Sequence, residues 1–127
     1  MQGMYLHYDF VVTLLNDIFG IQSRGGCACA GLYGQNLLGI DAKLAKKYED
    51  VLRHSHESGS NDGGVPALML RPGFIRISFA FHATMAEVDF VIEAVELVAE
   101  HGWKLLPFYE INDATCEFSC NKNLVSL

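Results

Sequence analysis

The stretch that begins at Thr84 and ends at Gly102 places the strongest constraint on the fold. Thr84 and Glu87, three residues apart, make a capping box, which is a typical start of a helix. Apolar residues then recur at helical spacing to about His101, and a glycine, which commonly ends helices, follows. These apolar residues are Val88, Val91, Ile92, Val95 and Val98. The pattern predicts a long amphipathic helix whose apolar face packs against a second layer.

Three other segments are predicted to be helical. The first covers about residues 9–19, with Asp9 as its expected N-cap and Gly20 as its expected stop. A single turn is expected at residues 35–38. A second long helix is expected to begin after Asp41, which is suited to cap it. Its apolar stripe consists of Leu44, Tyr48, Val51 and Leu52.

Four segments have strand character. Residues 65–70 and 74–81 are predicted to be strands joined by a turn, and residues 21–23 a short strand. The segment 103–119 is expected to form a closing hairpin with its turn at Asn112 and Asp113.

Alternation in the 74–81 strand assigns its side chains to two faces. One face would carry Ile75, Ile77, Phe79 and Phe81, and the other Phe74, Arg76, Ser78 and Ala80. We expect the first face to be buried and the second to be open.

This order of elements predicts an α+β fold in a single domain, residues 1–127, with 54–64 as a flexible loop. The expected architecture is a two-layer sandwich, a small, largely antiparallel sheet with helices packed on one face. The bare sheet face would then bind a missing large domain or a second copy of the chain as a homodimer.

Composition excludes some functions. A formal charge of −6 argues against binding nucleic acid or an anionic membrane, and the apolar run 10–19 is too short and too polar to span a bilayer. Without an evident export signal, the four cysteines are expected to be free thiols in a reducing, cytoplasmic compartment.

The spacing of the cysteines does not favour a zinc site. The four candidate ligands, Cys27, Cys29, Cys116 and Cys120, fit the spacing of zinc ligands poorly, so we predict no metal site.

The loop 23–31 carries the clearest chemical signal. Glycines let its backbone approach a ligand closely, and Arg24 can bind a carboxylate or phosphate with two parallel hydrogen bonds. A cysteine beside a fixed positive charge can be held as the reactive thiolate. Cys27 and Cys29 are both candidates. The loop is thus predicted to form half of an active site.

Three segments resemble one known domain: HYDFVVTLLNDIFGIQSRGGCACAG, GFIRISFAF and EVDFVIEAVELVAEHGWKLLPFYE. They are similar to the C-terminal small domain of class V aminotransferases, fold-type I enzymes that use pyridoxal phosphate (PLP), and lie nearest the cysteine desulfurase and selenocysteine lyase group. The resemblance covers roughly residues 5–119. It implies that Arg76 binds the substrate carboxylate and that Cys29 is the catalytic nucleophile toward sulfur or selenium. Arg24, also assigned to substrate binding, would brace the loop or add positive charge near the cofactor.

The chain departs from that group in two respects. Ala28 stands where the group usually carries histidine, and the large domain with the PLP lysine is absent from the sequence. No lysine lies in a matching context, so PLP is not expected to bind this chain alone, and the chain alone is expected to be inactive. The alternatives are one half of a split desulfurase or lyase, completed by a separate large-domain chain, and a non-catalytic homodimeric binding module.

Overall fold

The computed structural model describes residues 5–26, 31–57, 67–112 and 115–121. Within these ranges lie four α-helices and one two-stranded sheet, which confirms the α+β class. The helices are α1 (Tyr8–Phe19), α2 (Gly31–Leu37), α3 (Ala42–Glu57) and α4 (Met85–His101). Two 3-10 segments cover Ala67–Leu70 and Gly102–Phe108. The strands β1 (Tyr109–Ile111) and β2 (Phe118–Cys120) pair antiparallel, with Glu110 opposite Ser119.

The predicted helix boundaries are largely confirmed. Thr84 and Glu87 form the reciprocal capping box, and the bonds that Thr84 donates hold the pKa of the Glu87 carboxyl below its usual value. Gly20 ends α1 in the left-handed conformation, with φ of 67°. The carboxylate of Asp41 accepts a hydrogen bond from the backbone N–H of Leu44, at 2.7 Å, as expected of the cap of α3.

Three helix details differ from expectation. The N-cap of α1 is His7, not Asp9, because the imidazole Nδ1 of His7 accepts from the backbone N–H of Asp9 at 3.3 Å. Helix α2 is longer than the turn predicted at 35–38. Helix α3 extends through Glu57 into the predicted 54–64 loop; residues 58–64 lie outside the described part.

The strand predictions were mostly wrong. Residues 67–70 form a 3-10 turn against α3, consistent with the helix-forming Ala-Leu-Met-Leu sequence; residues 65 and 66 are not described. Residues 103–108 continue helically from Gly102, whose missing side chain lets Leu6 and Leu14 pack against it. Residues 21–23 form no strand, and within the described residues 74–81 forms only a short pairing around the bridge at Arg76. The predicted hairpin is present in shortened form as β1 and β2, with Asn112 at its turn; Asp113 is not described.

The core lies between α1, α4 and the hairpin. Phe10, Leu14 and Leu15 of α1 are completely buried, and Ala94 and Val98 of α4 face them. Each such large side chain contributes about 1.5–3 kcal/mol by its burial. No residue of α2 or α3 belongs to this cluster within the described part of the chain. Helix α3 is therefore a separate, outlying layer.

The hairpin is fixed to this core by aromatic contacts. The ring of Phe10 meets Tyr109 edge-on at 5.4 Å between centroids, and lies 5.1 Å from the ring of Phe118. The hydroxyl of Tyr109 donates to the carboxylate of Asp17 at 3.2 Å. Partial burial, together with the charge and hydrogen bond of Asp17, raises the pKa of Tyr109 to about 12. The hairpin and α1 thus pack as one unit.

The alternation predicted for 74–81 holds over only half its length. Ile75 and Ile77 pack against the core, whereas Phe79 is half exposed and Phe81 fully exposed. The contact ends there because no neighbouring strand continues the sheet in the described residues. The bare sheet face expected to carry Arg76 and Ser78 is accordingly reduced to a single bridge, although both residues are exposed as predicted. Among the described helices, none is long and apolar enough to cross a membrane.

Candidate functional site

Arg24 and Arg76 form an isolated antiparallel bridge. The backbone N–H of Arg24 donates to the carbonyl of Arg76 at 3.0 Å, and the N–H of Arg76 donates to the carbonyl of Arg24 at 2.8 Å. A third bond, from the N–H of Phe74 to the carbonyl of Gly26, extends the pairing at 3.1 Å. The chain therefore brings together two of the three predicted site residues, from segments far apart in sequence.

The bridge places both arginine side chains on one face. Residues that exchange both hydrogen bonds in an antiparallel pair have Cα atoms about 5.5 Å apart and side chains on the same side. Arg24 and Arg76 are both exposed. Within the described part of the chain, neither guanidinium has a carboxylate partner. Two like charges directly opposite each other are destabilising, so this face favours an anion.

A close contact with α1 holds the bridge in place. The ring of Tyr8 lies against Gly73, where an added Cβ would collide with the ring and would approach the Cα of Gly26 to 2.9 Å. A Cβ on Gly25 would come within 2.9 Å of the same ring. The sequence interpretation assigned the glycines of the loop 23–31, Gly25 among them, a role in approaching a ligand, and placed Gly73 in a turn. In the structure, Gly25 and Gly73 make room for Tyr8 instead.

Cys29, the predicted nucleophile, lies outside the described residues, as does Cys27. Of the other two cysteines, Cys116 is buried and Cys120 is half-buried with a free thiol. The described residues contain no group of three side chains suited to hold a metal ion.

The described lysines do not fit a PLP site. The cofactor needs a lysine inside a pocket to form its Schiff base. Lys43, Lys46 and Lys47 are exposed on α3, and Lys104 is exposed beside the ring of Trp103; Lys122 is not described. These exposed lysines therefore support no catalytic step through PLP.

The N-terminal end of α1, next to the bridge, carries two groups with shifted pKa values, the N-cap His7 and Asp9 in the first turn. Burial lowers the pKa of His7, and the nearby carboxylate of Asp9 opposes this shift. Burial also raises the pKa of Asp9, with a further contribution from Glu117, while His7 opposes it. Neutral His7 is the form that accepts the capping hydrogen bond through Nδ1.

We expect mild acid to destabilise the protein partly through His7. Because the folded state lowers the pKa of His7 below 6.5, its contribution to stability is complete above that pH and is lost as the pH falls through the lowered value. The raised pKa of Asp9 has the opposite effect on stability: its contribution is lost as the pH rises through the range just above 3.8. His7→Asn keeps a capping side chain without the titration. Its melting temperature should fall less between neutral and mildly acidic pH than that of the unmodified chain.

The matched control for this prediction is His82→Asn, a change at an exposed position away from α1. It should leave the acid-induced fall unchanged. If the melting temperature of His7→Asn falls as much on acidification as that of the unmodified chain, His7 does not contribute to the acid sensitivity.

Sequence reasoning missed Tyr8 and Arg71. Tyr8 carries no signal beyond its place at the start of a helix, because its role depends on glycines far away in sequence. Arg71, before Pro72 and Gly73, has the pattern of a turn residue.

Comparison with protein-family models, with curated proteins and with solved structures finds no match for this chain.

Proposed function

We propose that this chain is the small domain of a PLP-dependent enzyme of the class V aminotransferase type, in the cysteine desulfurase or selenocysteine lyase group. In this proposal Arg76 and Arg24 together bind the carboxylate of an amino-acid substrate. Cys29 is the nucleophile toward the sulfur or selenium of that substrate. The PLP lysine comes from a large domain, either on the same polypeptide or on a separate chain.

One observation carries the proposal: the backbone bridge that sets Arg24 opposite Arg76. A carboxylate matches the planar fork of a guanidinium, and two exposed guanidinium groups on one face can bind one together. Cys29 follows Gly26 by three residues, which span no more than about 11 Å. The length of the chain therefore permits Cys29 to approach a substrate held at the arginine pair.

The proposal can be tested with two thiol reagents, iodoacetate and neutral iodoacetamide. Both need the thiolate, so the ratio of their rates at one cysteine cancels the effect of its pKa. Two positive charges about 6 Å from the reagent carboxylate contribute about 1.4 kcal/mol in water, or about tenfold in rate. We expect the ratio of the iodoacetate rate to the iodoacetamide rate to be about tenfold higher at Cys29 than at Cys120. Peptide mass spectrometry at low salt measures both rates.

The variants Arg24→Gln and Arg76→Gln should each lower the rate ratio at Cys29 and leave it unchanged at Cys120. Lys104→Gln, which removes an exposed charge elsewhere, is the matched control and should change neither ratio. Equal ratios at Cys29 and Cys120 in the unmodified chain would contradict the proposed site.

A further inference from the structure

A cavity of about 580 Å³ lies between α2, α3 and the segment 71–74. This volume is within the range of small-molecule sites, which is roughly 300–1,000 Å³. Its apolar wall is formed mainly by Leu38, Ile40, Ala45, Tyr48, Leu52 and Phe74. We refer to it as the α3 cavity. It is separate from the core between α1 and α4.

The sequence explains why the α3 cavity stays open. Gly31 and Gly34 of α2 have no side chains to fill it, and Ala45 contributes only a methyl group from α3. Helix α3 packs on the 3-10 turn Ala67–Leu70 and not on the core, so its apolar stripe is only partly covered. The result is an apolar space that the described chain itself does not fill.

Among the described residues of the wall, one cation is available. Arg53 donates a hydrogen bond to the carboxylate of Glu49, one turn earlier on α3, and this pair is neutral overall. Arg71 lines the same cavity and has neither an ion pair nor a hydrogen bond with any described residue. A second cavity, of about 590 Å³, shares six lining residues with it: Leu38, Ile40, Tyr48, Arg71, Pro72 and Phe74. Arg71 thus stands where two apolar spaces meet.

We propose that the α3 cavity binds a single-chain amphiphile with a carboxylate head. The apolar wall takes the hydrocarbon chain, and the guanidinium of Arg71 donates two parallel hydrogen bonds to the carboxylate. The arrangement, an apolar space with one convergent charged group, is the usual design of a small-molecule site. This site uses neither Arg24 nor Arg76, so it can be present or absent independently of the proposed enzyme function.

Decanoate is the probe, and decanol, with the same chain and no charge, is its control. Isothermal titration calorimetry below the micelle concentration should show decanoate binding about tenfold more tightly than decanol, as expected of one charge-assisted hydrogen-bonded pair at a partly exposed site. Arg71→Gln should remove this preference and leave decanol binding unchanged. Lys104→Gln should preserve it.

A second variant tests the apolar wall. Ala45→Phe places a ring in the cavity from α3 and should abolish binding of both ligands. Because α3 lies outside the core, its circular dichroism spectrum should match that of the unmodified chain. Equal binding of decanoate and decanol, or binding of decanoate unaffected by Arg71→Gln or by Ala45→Phe, would overturn the proposal.

Discussion

Leu14→Ala should lower the free energy of unfolding by about 2–5 kcal/mol. Leu14 is fully buried in α1, among the residues of α4 and the hairpin, and one of its methyl groups lies 3.1 Å from the position of a Cβ built on Gly102. Its truncation removes apolar contacts and leaves a cavity that this tightly packed site cannot close. Since small domains are stable by only about 5–15 kcal/mol, the effect is a large fraction of the total.

Leu44→Ala is the matched control. It makes the same chemical change in another helix, so the difference in helix propensity cancels. Leu44 is 40% exposed and lies outside the core cluster. We expect it to cost less than about 1 kcal/mol. Urea unfolding followed by circular dichroism gives both values, and similar losses in the two variants would mean that α3 belongs to the core after all.

Gly73→Ala should cost about 1–3 kcal/mol and should disturb the arginine bridge. Its new methyl group would collide with the ring of Tyr8 and would press on the backbone of Gly26, so the 24–26 and 73–76 segments must separate or α1 must shift. Hydrogen exchange at the amides of Arg24 and Arg76, which are bonded to each other's carbonyls, should become faster.

Two variants separate this contact from a general glycine effect. Gly39→Ala adds a methyl group in open space at a positive φ of 65°. It should therefore lower the free energy of unfolding by about 1–2 kcal/mol through backbone strain alone. Hydrogen exchange at the amides of Arg24 and Arg76 should not become faster. In the double variant Tyr8→Ala/Gly73→Ala, the collision with the ring is absent. Its destabilisation should be smaller than the sum of the single effects, and strict additivity would contradict the packing described here.

The helices were predictable from sequence because their signals are local. The capping box of Thr84 and Glu87 and the stop at Gly20 each depend on residues within one or two turns. The strands were not predictable, because a strand forms only where a second strand is available to pair with it. Residues 74–81 alternate as predicted at Ile75 and Ile77, but the segments Ala67–Leu70 and Met85–His101 on either side are helical. Within the described residues, 74–81 pairs only with the short loop at Arg24.

The candidate site was predictable in part. The resemblance to class V aminotransferases named Arg24 and Arg76, but no local pattern indicates that their backbones pair, since that contact joins distant segments through Tyr8 and two glycines. The α3 cavity could not be predicted, because it depends on how far α3 lies from the core. Arg71, the one available cation among the described residues of its wall, has the sequence pattern of an ordinary turn.

We propose that Arg24 and Arg76 act as one carboxylate-binding pair. The most direct test follows the side-chain Nε–H signals of the arginines by nuclear magnetic resonance as L-alanine is added, with L-alaninamide as the control that lacks the carboxylate. We expect the Arg24 and Arg76 signals to shift together, with one midpoint on the order of 10 mM, while Arg53, already paired with Glu49, does not respond. Separate midpoints for the two arginines, or equal shifts with L-alaninamide, would contradict it.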